Sequence, residues 1–460
     1  MKKTFIRCGM MACLLATGSI GVAHAGLFDN PFGKVSNPVA ASSQVAAPAS
    51  GVAAASAADP FYTYTGSTPL SSLPLGTVLK QRTVNYHVAG ILLPVKVTQL
   101  LYRTNNAQKQ AVVNVTSVIK STSLFPNGHA ISYQSAYDSL NPQDEPSRVI
   151  AGDRSLGGLL YSGESVALAP ILAAGYNVIV PDTEGQTADF PVGPEEGMTT
   201  LDSIRAVFNS PSIGMTPSSK IALIGYSGGA IATDWAAQLA PTYAPDVNKR
   251  LVGAAFGGLL IDPMHNLSYV DGSIVWGGVA PAAMVGLARA YNIDLTPYLN
   301  SDGVALFNTI QNQSLIQILP PNLGLHWTTL FKPQYASDLN SIPDVVRMVN
   351  NVNAGLIGEP TIPIYFTQGS VGILNGTFNP LPGDGVMLAG DARTLAQQFC
   401  ASGTSVQYTE PPFEHAATAV VWAAGMLPWI YERFLGIPAS DNCALIQSLP
   451  GSSLAAETVH

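Results

Sequence analysis

The chain has 460 residues, of which 47% are apolar and 11% charged, and its formal net charge at pH 7 is −8. This length allows one large domain with insertions or two domains, and the apolar content excludes an intrinsically disordered chain. An acidic chain without basic clusters also lacks the electrostatic footprint of a nucleic-acid-binding protein. The low charge fits either a large core or apolar surface suited to an oily interface.

The first 25 residues have the organisation of a secretory signal peptide. Lys2, Lys3 and Arg7 precede an apolar stretch with small residues, and residues 23–25 form an A-x-A-type cleavage site. We therefore expect cleavage after Ala25 and a mature protein in the periplasm or outside the cell. The apolar stretch is too short and too rich in glycine for a membrane span.

Residues 26–60 are rich in Ala, Ser and Pro, which is typical of a flexible leader. Beyond the signal peptide, the remaining cysteines are Cys400 and Cys443. An oxidising compartment allows one disulfide between them, and two free buried thiols are the alternative. Because the sequence has no paired Cys or His spacing, we expect no metal site and no cofactor.

From residue 110 onward, buried-strand patterns alternate with amphipathic helix patterns. Strands are predicted at 110–120, 129–137, 176–182, 220–227, 250–258, 362–369 and 405–411. Helices are predicted at 164–175, 194–208, 228–240 and 391–403, with a closing helix after His415. This alternation predicts an α/β fold with a mostly parallel sheet flanked by helices on both faces.

The alternation is interrupted at residues 263–355, where helical patterns at 280–292, 303–319 and 342–354 occur without an obvious buried strand. We interpret this region as a helical cap inserted over the carboxyl edge of the sheet. The core of the α/β fold would then comprise residues 61–262 and 356–460.

A serine follows the strand predicted at 220–227, within the sequence G-Y-S-G-G at 225–229. The G-x-S-x-G pattern is weak alone, but a place between a buried strand and a helix is what a nucleophile elbow requires. The flanking glycines keep Cβ atoms out of a crowded turn, and the helix start directs N–H groups toward the serine. Ser227 is therefore the candidate nucleophile; a small residue in a structural turn is the alternative.

A serine nucleophile needs a base and an acid. His415 comes late in the chain, in a predicted loop after a strand, where an α/β-hydrolase has its histidine. A histidine that caps a surface helix is the alternative. The acid should follow a strand between the serine and the histidine, and both Asp384 and Asp391 do. We prefer Asp384, because Asp391 has a structural place at the N-cap or first turn of the helix predicted at 391–403.

An oxyanion hole needs two hydrogen-bond donors. The backbone N–H of Gly228 is one candidate, because Gly228 follows the nucleophile. An earlier strand-end loop, S-Y-Q-S-A-Y-D-S at 132–139, contains Asp138. A charged carboxylate would repel an oxyanion, so Asp138 could help only through its N–H or with a protonated side chain. On position alone, a structural turn explains Asp138 better.

Several segments together resemble the secretory lipase family. They are residues 132–139, 173–207, 224–248, 252–258 and 413–419. The most specific is 173–207, where a D-x-E-G loop precedes a G-x-E-E-G-M helix start and an L-D-x-I-R-A run. The resemblance spans residues 95–445 and is weakest in the cap. The sequence departs from the family between the strand at 362–369 and Asp384, where the segment S-V-G-I-L-N-G-T-F-N-P-L-P is longer than expected.

The resemblance implies roles for individual residues and for the cap. The implied roles are Ser227 as nucleophile, Asp384 as acid, His415 as base, Asp138 and Gly228 as the oxyanion hole, and Cys400 and Cys443 as a disulfide. It also implies a helical cap that holds an acyl chain. Four acidic residues of the specific segment are interpreted as loop-fixing or helix-capping groups without a catalytic role: Asp182, Glu184, Asp189 and Glu195.

These observations predict a secreted serine carboxylic-ester hydrolase, and the resemblance narrows it to a triacylglycerol lipase. The expected partner is a lipid or small ester, at an oil–water interface in the lipase case, with no nucleic acid and no stable transmembrane anchor. An esterase or acyltransferase acting on other esters is the first alternative. A peptidase with the same triad, or a non-catalytic binding protein with this fold, is the second.

Overall fold

The computed structural model describes residues 59–460, so the predicted signal peptide and nearly all of the predicted leader lie outside the described residues. The strands of the described part are Val78–Val88 (β1), Ile91–Asn105 (β2), Ala111–Ile119 (β3), Ala130–Gln134 (β4), Asn177–Pro181 (β5), Ile221–Tyr226 (β6), Leu251–Gly257 (β7), Ile364–Thr367 (β8) and Val406–Thr409 (β9). They form one nine-stranded sheet in the order β1-β2-β3-β5-β4-β6-β7-β8-β9. Each strand predicted from the sequence is confirmed.

The helices of the described residues follow the predicted alternation. They are Pro146–Ala151 (α1), Gly158–Glu164 (α2), Ala169–Ala173 (α3), Gly193–Phe208 (α4), Gly228–Tyr243 (α5), Pro245–Asn248 (α6), Pro263–Val270 (α7), Val279–Ala290 (α8), Ser301–Ile310 (α9), Leu315–Ile318 (α10), Pro333–Ala336 (α11), Pro343–Asn351 (α12), Ala389–Ala401 (α13), His415–Phe434 (α14) and Cys443–Ile446 (α15). In the described part of the chain, no helix is both long enough and apolar enough to cross a membrane.

The sheet is parallel from β5 through β4, β6, β7, β8 and β9. Strands β1, β2 and β3 extend it as antiparallel neighbours, with β3 pairing against β5. The long β1–β2 hairpin is not predicted from the sequence. Along β1, exposed polar residues alternate with partly buried ones, because one face of the strand is exposed. The strand therefore lacks the continuous apolar run of a buried strand.

Hydrophobic packing covers both faces of the sheet, as the alternation predicts. On β6, Leu223 lies in a core formed with α4, α5 and α13, whereas the next residue, Ile224, packs with α1, α3 and α14. Successive side chains of a strand point to opposite faces, so one apolar strand contributes to both cores. Each buried Leu or Ile contributes about 1.5–3 kcal/mol relative to an exposed one.

Between β7 and β8 the chain forms helices α7 to α12. Helices α7, α8 and α12 pack in a third apolar core together with residues 386–388, whereas α10 packs in a smaller fourth core with Phe190. The pattern at 303–319 forms two helices rather than one. The side chain of Ser314 accepts from the N–H of Gln317, whose side chain reaches back, and this capping box starts α10. The helix predicted at 164–175 is also divided, into a 3-10 turn and α3, because Pro170 cannot donate to the preceding turn.

Cys400 near the end of α13 and Cys443 at the start of α15 form a disulfide across 43 residues of sequence. The alternative of two free thiols is therefore wrong. The bridge fixes the carboxyl-terminal part of the chain to the helix that packs beside β9.

Replacing both cysteines should lower the free energy of unfolding by about 3–4 kcal/mol, because the disulfide restricts the unfolded chain. Urea titration of Cys400→Ser/Cys443→Ser against oxidised wild type measures the difference. Wild type in reductant is the control and should match the variant. Equal urea midpoints for the variant and the oxidised protein would contradict the stabilising role.

Candidate active site

Ser227 lies on a tight turn between the end of β6 and the start of α5. Its φ of 56° and ψ of −124° are unusual for a residue with a side chain, and such a conformation costs about 1–3 kcal/mol. The glycines beside it are sterically required. A Cβ on Gly229 would overlap the carbonyl oxygen of Gln134 in β4, and one on Gly228 would overlap the Asp138 carboxyl group. The surrounding packing therefore holds the hydroxyl of Ser227 out of the turn.

His415 lies between Ser227 and Asp384. Its Nε2 is 2.8 Å from the Ser227 Oγ, and its Nδ1 is 2.7 Å from the Asp384 Oδ2. The backbone N–H of His415 also donates to the carbonyl of Asp384 at 2.8 Å. In contrast to the expected loop, His415 is the first residue of α14, and Glu414 caps that helix by accepting from two of its N–H groups. With 5% of its surface exposed, it is not a surface histidine.

The Asp384 carboxylate is fully buried and its oxygens are oriented by several donors. Oδ1 accepts from the N–H groups of Val386 and Met387 at 3.1 and 2.8 Å. Oδ2 accepts from the Gln368 Nε2 at 3.0 Å as well as from His415. Gln368 was not predicted, although its place just after β8 could have suggested it. These contacts leave the carboxylate one orientation toward the imidazole.

Asp391, the alternative acid, faces a different histidine. It lies in the first turn of α13, whose N-cap is Leu388, and its Oδ1 is 3.0 Å from the His265 Nδ1. The hydrogen bond to Asp391 raises the pKa of His265 to about 9. The geometry therefore brings Asp384, and not Asp391, to His415.

Aromatic rings enclose the imidazole of His415. The Tyr226 hydroxyl donates to the carbonyl of His415 at 2.6 Å, and the Trp276 ring stands edge-on, 5.4 Å away between ring centres. Burial alone lowers the pKa of His415, but the charge of Asp384 and its hydrogen bond outweigh that effect, so this pKa lies above its usual value. An imidazole held this way readily takes up a proton.

Asp138 lies against the start of α5, where a Cβ on Gly228 would meet its carboxyl oxygen. Its φ of 39° is positive, as at Ser227. Burial and the neighbouring charge of Glu164 raise the pKa of Asp138 to about 7, against the opposing charge of His415. The carboxyl group is therefore substantially protonated near neutral pH. The structure brings Asp138 and Gly228 together beside Ser227.

Partly buried Glu164 and buried Glu184 hold the loop that contains Asp138. Glu164 accepts from the Ser135 hydroxyl at 2.5 Å and from the Ala136 N–H at 3.1 Å. Glu184 accepts from the Ser139 N–H at 3.2 Å. The sequence analysis assigned a loop-fixing role to Glu184 but missed Glu164, because nothing in the helix pattern around Glu164 predicts a contact 28 residues earlier.

The other three acidic residues interpreted in the specific segment also make contacts that hold loops, as predicted. Asp182 accepts from the N–H and hydroxyl of Ser147 at the start of α1. Glu195 accepts from the N–H of Ala107, and Asp189 accepts from the Thr187 hydroxyl. Asp182 and Glu195 thus each hold the backbone of another segment, whereas Asp189 holds a side chain of its own loop.

An apolar pocket begins at Ser227, Gly228 and Asp138 and extends under the inserted helices. Its walls come mainly from α7, α8 and α12 and from the segment after Asp384, with Leu267, Met284, Met348 and Met387 among the lining residues. Within the described lining, Asp138 is the only ionisable side chain. The pocket therefore suits an uncharged, hydrocarbon-like group next to the Ser227 hydroxyl.

Away from Ser227, one group of described residues brings three potential metal-ligand atoms within 4.8 Å of one another: Asp262, His265 and Glu457. Asp262 caps α7 and also accepts from the Asn353 side chain, while His265 pairs with Asp391. These partners give the group a structural explanation.

Comparisons with known proteins agree with this geometry. The sequence profile of secretory lipases matches residues 153–442. Lipase 1 of Candida albicans is 34% identical over 399 residues, which cover 83% of this chain and 81% of that protein. A Mycobacterium tuberculosis protein named as a probable inactive lipase is 31% identical over 396 residues, covering 84% of this chain and 83% of its own length.

The X-ray structure of Candida antarctica lipase A is similar with a TM-score of 0.72 and 26% identity, covering 84% of this chain and 87% of that one. The similarity in sequence and in fold therefore extends over most of the described residues. The chain belongs to the secretory lipase family: it has an α/β-hydrolase fold and is a carboxylic ester hydrolase of the lipase or esterase class.

Proposed function

We propose that this protein is a secreted serine hydrolase that cleaves lipid esters, triacylglycerols in particular, through an acyl-enzyme on Ser227. The observation that carries the proposal is the chain of hydrogen bonds from the Ser227 Oγ through both nitrogens of His415 to Asp384, at 2.8 and 2.7 Å. Ser227, at one end of these hydrogen bonds, also lines the apolar pocket. A serine, a base and an orienting acid in contact are what nucleophilic acyl transfer requires.

In the first half of the reaction, His415 removes the proton of Ser227 while the Oγ attacks the ester carbonyl. Asp384 accepts from the Nδ1–H, which leaves Nε2 free to take the proton, and its charge stabilises the imidazolium. His415 then donates that proton to the departing alcohol. The acyl group remains bound to Ser227.

In the second half, a water molecule enters where the alcohol left. His415 takes a proton from it, and the resulting hydroxide attacks the acyl carbonyl. The proton then returns to the Ser227 Oγ as the fatty acid leaves. The same base thus acts in both halves, and the reaction needs no group beyond this chain and water.

The oxyanion that forms in each half needs donors beside Ser227. The N–H of Gly228, at the start of α5, is one, and the positive end of the helix adds to it. We assign the second to the protonated carboxyl group of Asp138, whose pKa is raised by burial to about 7. Glu164 and Glu184 fix its loop and so act as positioning residues.

The pocket supports a long acyl chain as the substrate group. Its lining from α7, α8 and α12 is apolar apart from Asn266, whose side-chain amide donates to the Val386 carbonyl, so the lining suits a hydrocarbon chain. On this account the insertion at 263–355 serves as a cap that holds the acyl chain. Esters of other alcohols, and acyl transfer to an acceptor other than water, are compatible with the same reaction at Ser227.

Family membership and the disulfide fit an extracellular location. We propose that cleavage after Ala25 releases the mature protein. Edman sequencing of the exported protein would then begin at Gly26.

Ser227→Ala should reduce hydrolysis of p-nitrophenyl butyrate by at least about a thousandfold, because the nucleophile is lost while the fold remains. Ser218→Ala, at an exposed serine before β6, is the matched control and should keep wild-type rates. Equal rates for Ser227→Ala and wild type would rule out the proposed nucleophile.

The two candidate acids should differ clearly. Asp384→Asn should lower kcat by about 10⁴-fold, because an amide in that position favours the wrong imidazole tautomer. Asp391→Asn should change kcat by less than about threefold and should instead lower the thermal unfolding temperature, because it removes the ion pair with His265. The assignment fails if Asp391→Asn alone abolishes activity.

The pH dependence of kcat/KM tests the proposed donor. Neutral His415 is required as base, so activity should rise with pH through the pKa of His415. Protonated Asp138 is required as donor, so activity should fall above about pH 7 by about tenfold per pH unit. Asp138→Asn keeps a donor at every pH and should lose this alkaline limb. An unchanged limb in that variant would contradict the role of the carboxyl group.

A further inference from the structure

A loop without any charged or histidine side chain, residues 369–383, connects β8 to Asp384. It folds back on itself through a bridge between Val371 and Gly383. Thr377 fixes its middle, because its hydroxyl donates to the carbonyl of Gly385 and contacts the Ser273 hydroxyl at 2.7 Å. The loop thus has a defined conformation, and its apolar residues are held in place.

Large apolar side chains of this loop point into solvent. The exposed fractions are 61% for Ile373, 75% for Leu374, 70% for Phe378 and 57% for Leu381. Single exposed apolar residues are ordinary on a protein surface, but four large ones within nine residues of sequence are typical of an interaction site.

Neighbouring segments enlarge the group. Ile274 and Leu323 of the insertion and Phe413 before His415 are also exposed, and we call these three, together with the four residues of the loop, the apolar rim. Backbone hydrogen bonds join its segments: the Ile274 N–H donates to Gly376, the Gly324 N–H to Ile274, and the Val371 N–H to Phe413. The rim is therefore carried by four chain segments that backbone hydrogen bonds hold together.

The rim adjoins the pocket through Trp276. Asn375 in the loop accepts from the Trp276 Nε1–H at 3.1 Å and donates to the Glu414 carboxylate at 3.3 Å. Trp276 lines the pocket and stands edge-on against His415. A large substrate aggregate on the rim would therefore lie next to Ser227.

We propose that the apolar rim binds the enzyme to the surface of aggregated, uncharged lipid esters, such as emulsified triacylglycerol. This inference rests on the proposed lipid-ester hydrolysis. Charge favours a neutral lipid surface over an anionic one. Residues 369–383 are uncharged, whereas the whole chain has a formal net charge of −8. An anionic bilayer would repel the acidic protein, and no basic side chain of the loop compensates. A neutral oil surface buries the rim without that repulsion.

The direct test measures adsorption to triolein droplets by centrifugation, without any turnover. All proteins carry Ser227→Ala, so that substrate is not consumed. Leu374→Ser/Phe378→Ser removes two side chains of the rim. The matched control is Leu124→Ser/Phe125→Ser, an identical change at residues that are 90% and 86% exposed. That pair precedes β4, at the edge of the parallel strands opposite to Ser227.

The rim variant should partition to the droplets at least about tenfold more weakly than the protein with an intact rim, and the control pair should change partitioning by less than about twofold. Equal adsorption of both double variants would overturn the proposal. Adsorption to phosphatidylglycerol vesicles as strong as adsorption to triolein would also overturn it, because the assigned surface is uncharged.

Hydrolysis of soluble p-nitrophenyl acetate, measured with Ser227 present, separates this inference from the proposed function. Leu374→Ser/Phe378→Ser should keep the wild-type rate on the soluble ester and lose at least about tenfold on emulsified tributyrin. Loss on both substrates would overturn the separate docking role. Wild-type protein inactive on every ester would refute the proposed function, whereas the adsorption result would stand on its own.

Discussion

The positive φ of Ser227 is the constraint on which the rest of the site depends. Its cost of about 1–3 kcal/mol is offset by the packing of β6 and α5, whose residues on either side of the turn are deeply buried. Glycines at 228 and 229 let the helix start approach β4 and Asp138 closely. The Ser227 hydroxyl and the candidate oxyanion donors therefore lie together at the end of the sheet. His415, at the start of α14, contacts this hydroxyl through its Nε2.

The buried surroundings of the two aspartates near this turn differ, and so do the roles that they suit. Asp384 is fully buried but surrounded by donors from Val386, Met387 and Gln368, which suit a carboxylate. Asp138 is buried with another acidic residue nearby, and burial with that charge raises its pKa to about 7. Two aspartates in one site thus have different environments, an arrangement that suits one to orient the base and the other, kept protonated, to donate a hydrogen bond to the oxyanion.

Sequence reasoning succeeded where a local pattern carries the information. Continuous apolar runs located the parallel strands, and chain order led to Ser227, Asp384 and His415, whose side chains the fold brings into contact. It failed for β1, whose outer face is exposed, and for β2, which is exposed in its first half and carries polar residues in its buried second half. Contacts such as that of Glu164 with the Asp138 loop, or of Trp276 with His415, depend on the packing of distant segments, so no local spacing predicts them.

A crystal structure of the mature protein after reaction with a p-nitrophenyl alkylphosphonate tests the central claim most directly. The account predicts phosphorus bonded to the Ser227 Oγ, with the phosphoryl oxygen about 2.7–3.1 Å from the Gly228 nitrogen and an Asp138 oxygen. It also predicts the alkyl chain inside the pocket under α7, α8 and α12. A phosphonate bonded to another residue, or a phosphoryl oxygen directed away from Gly228 and Asp138, would contradict it.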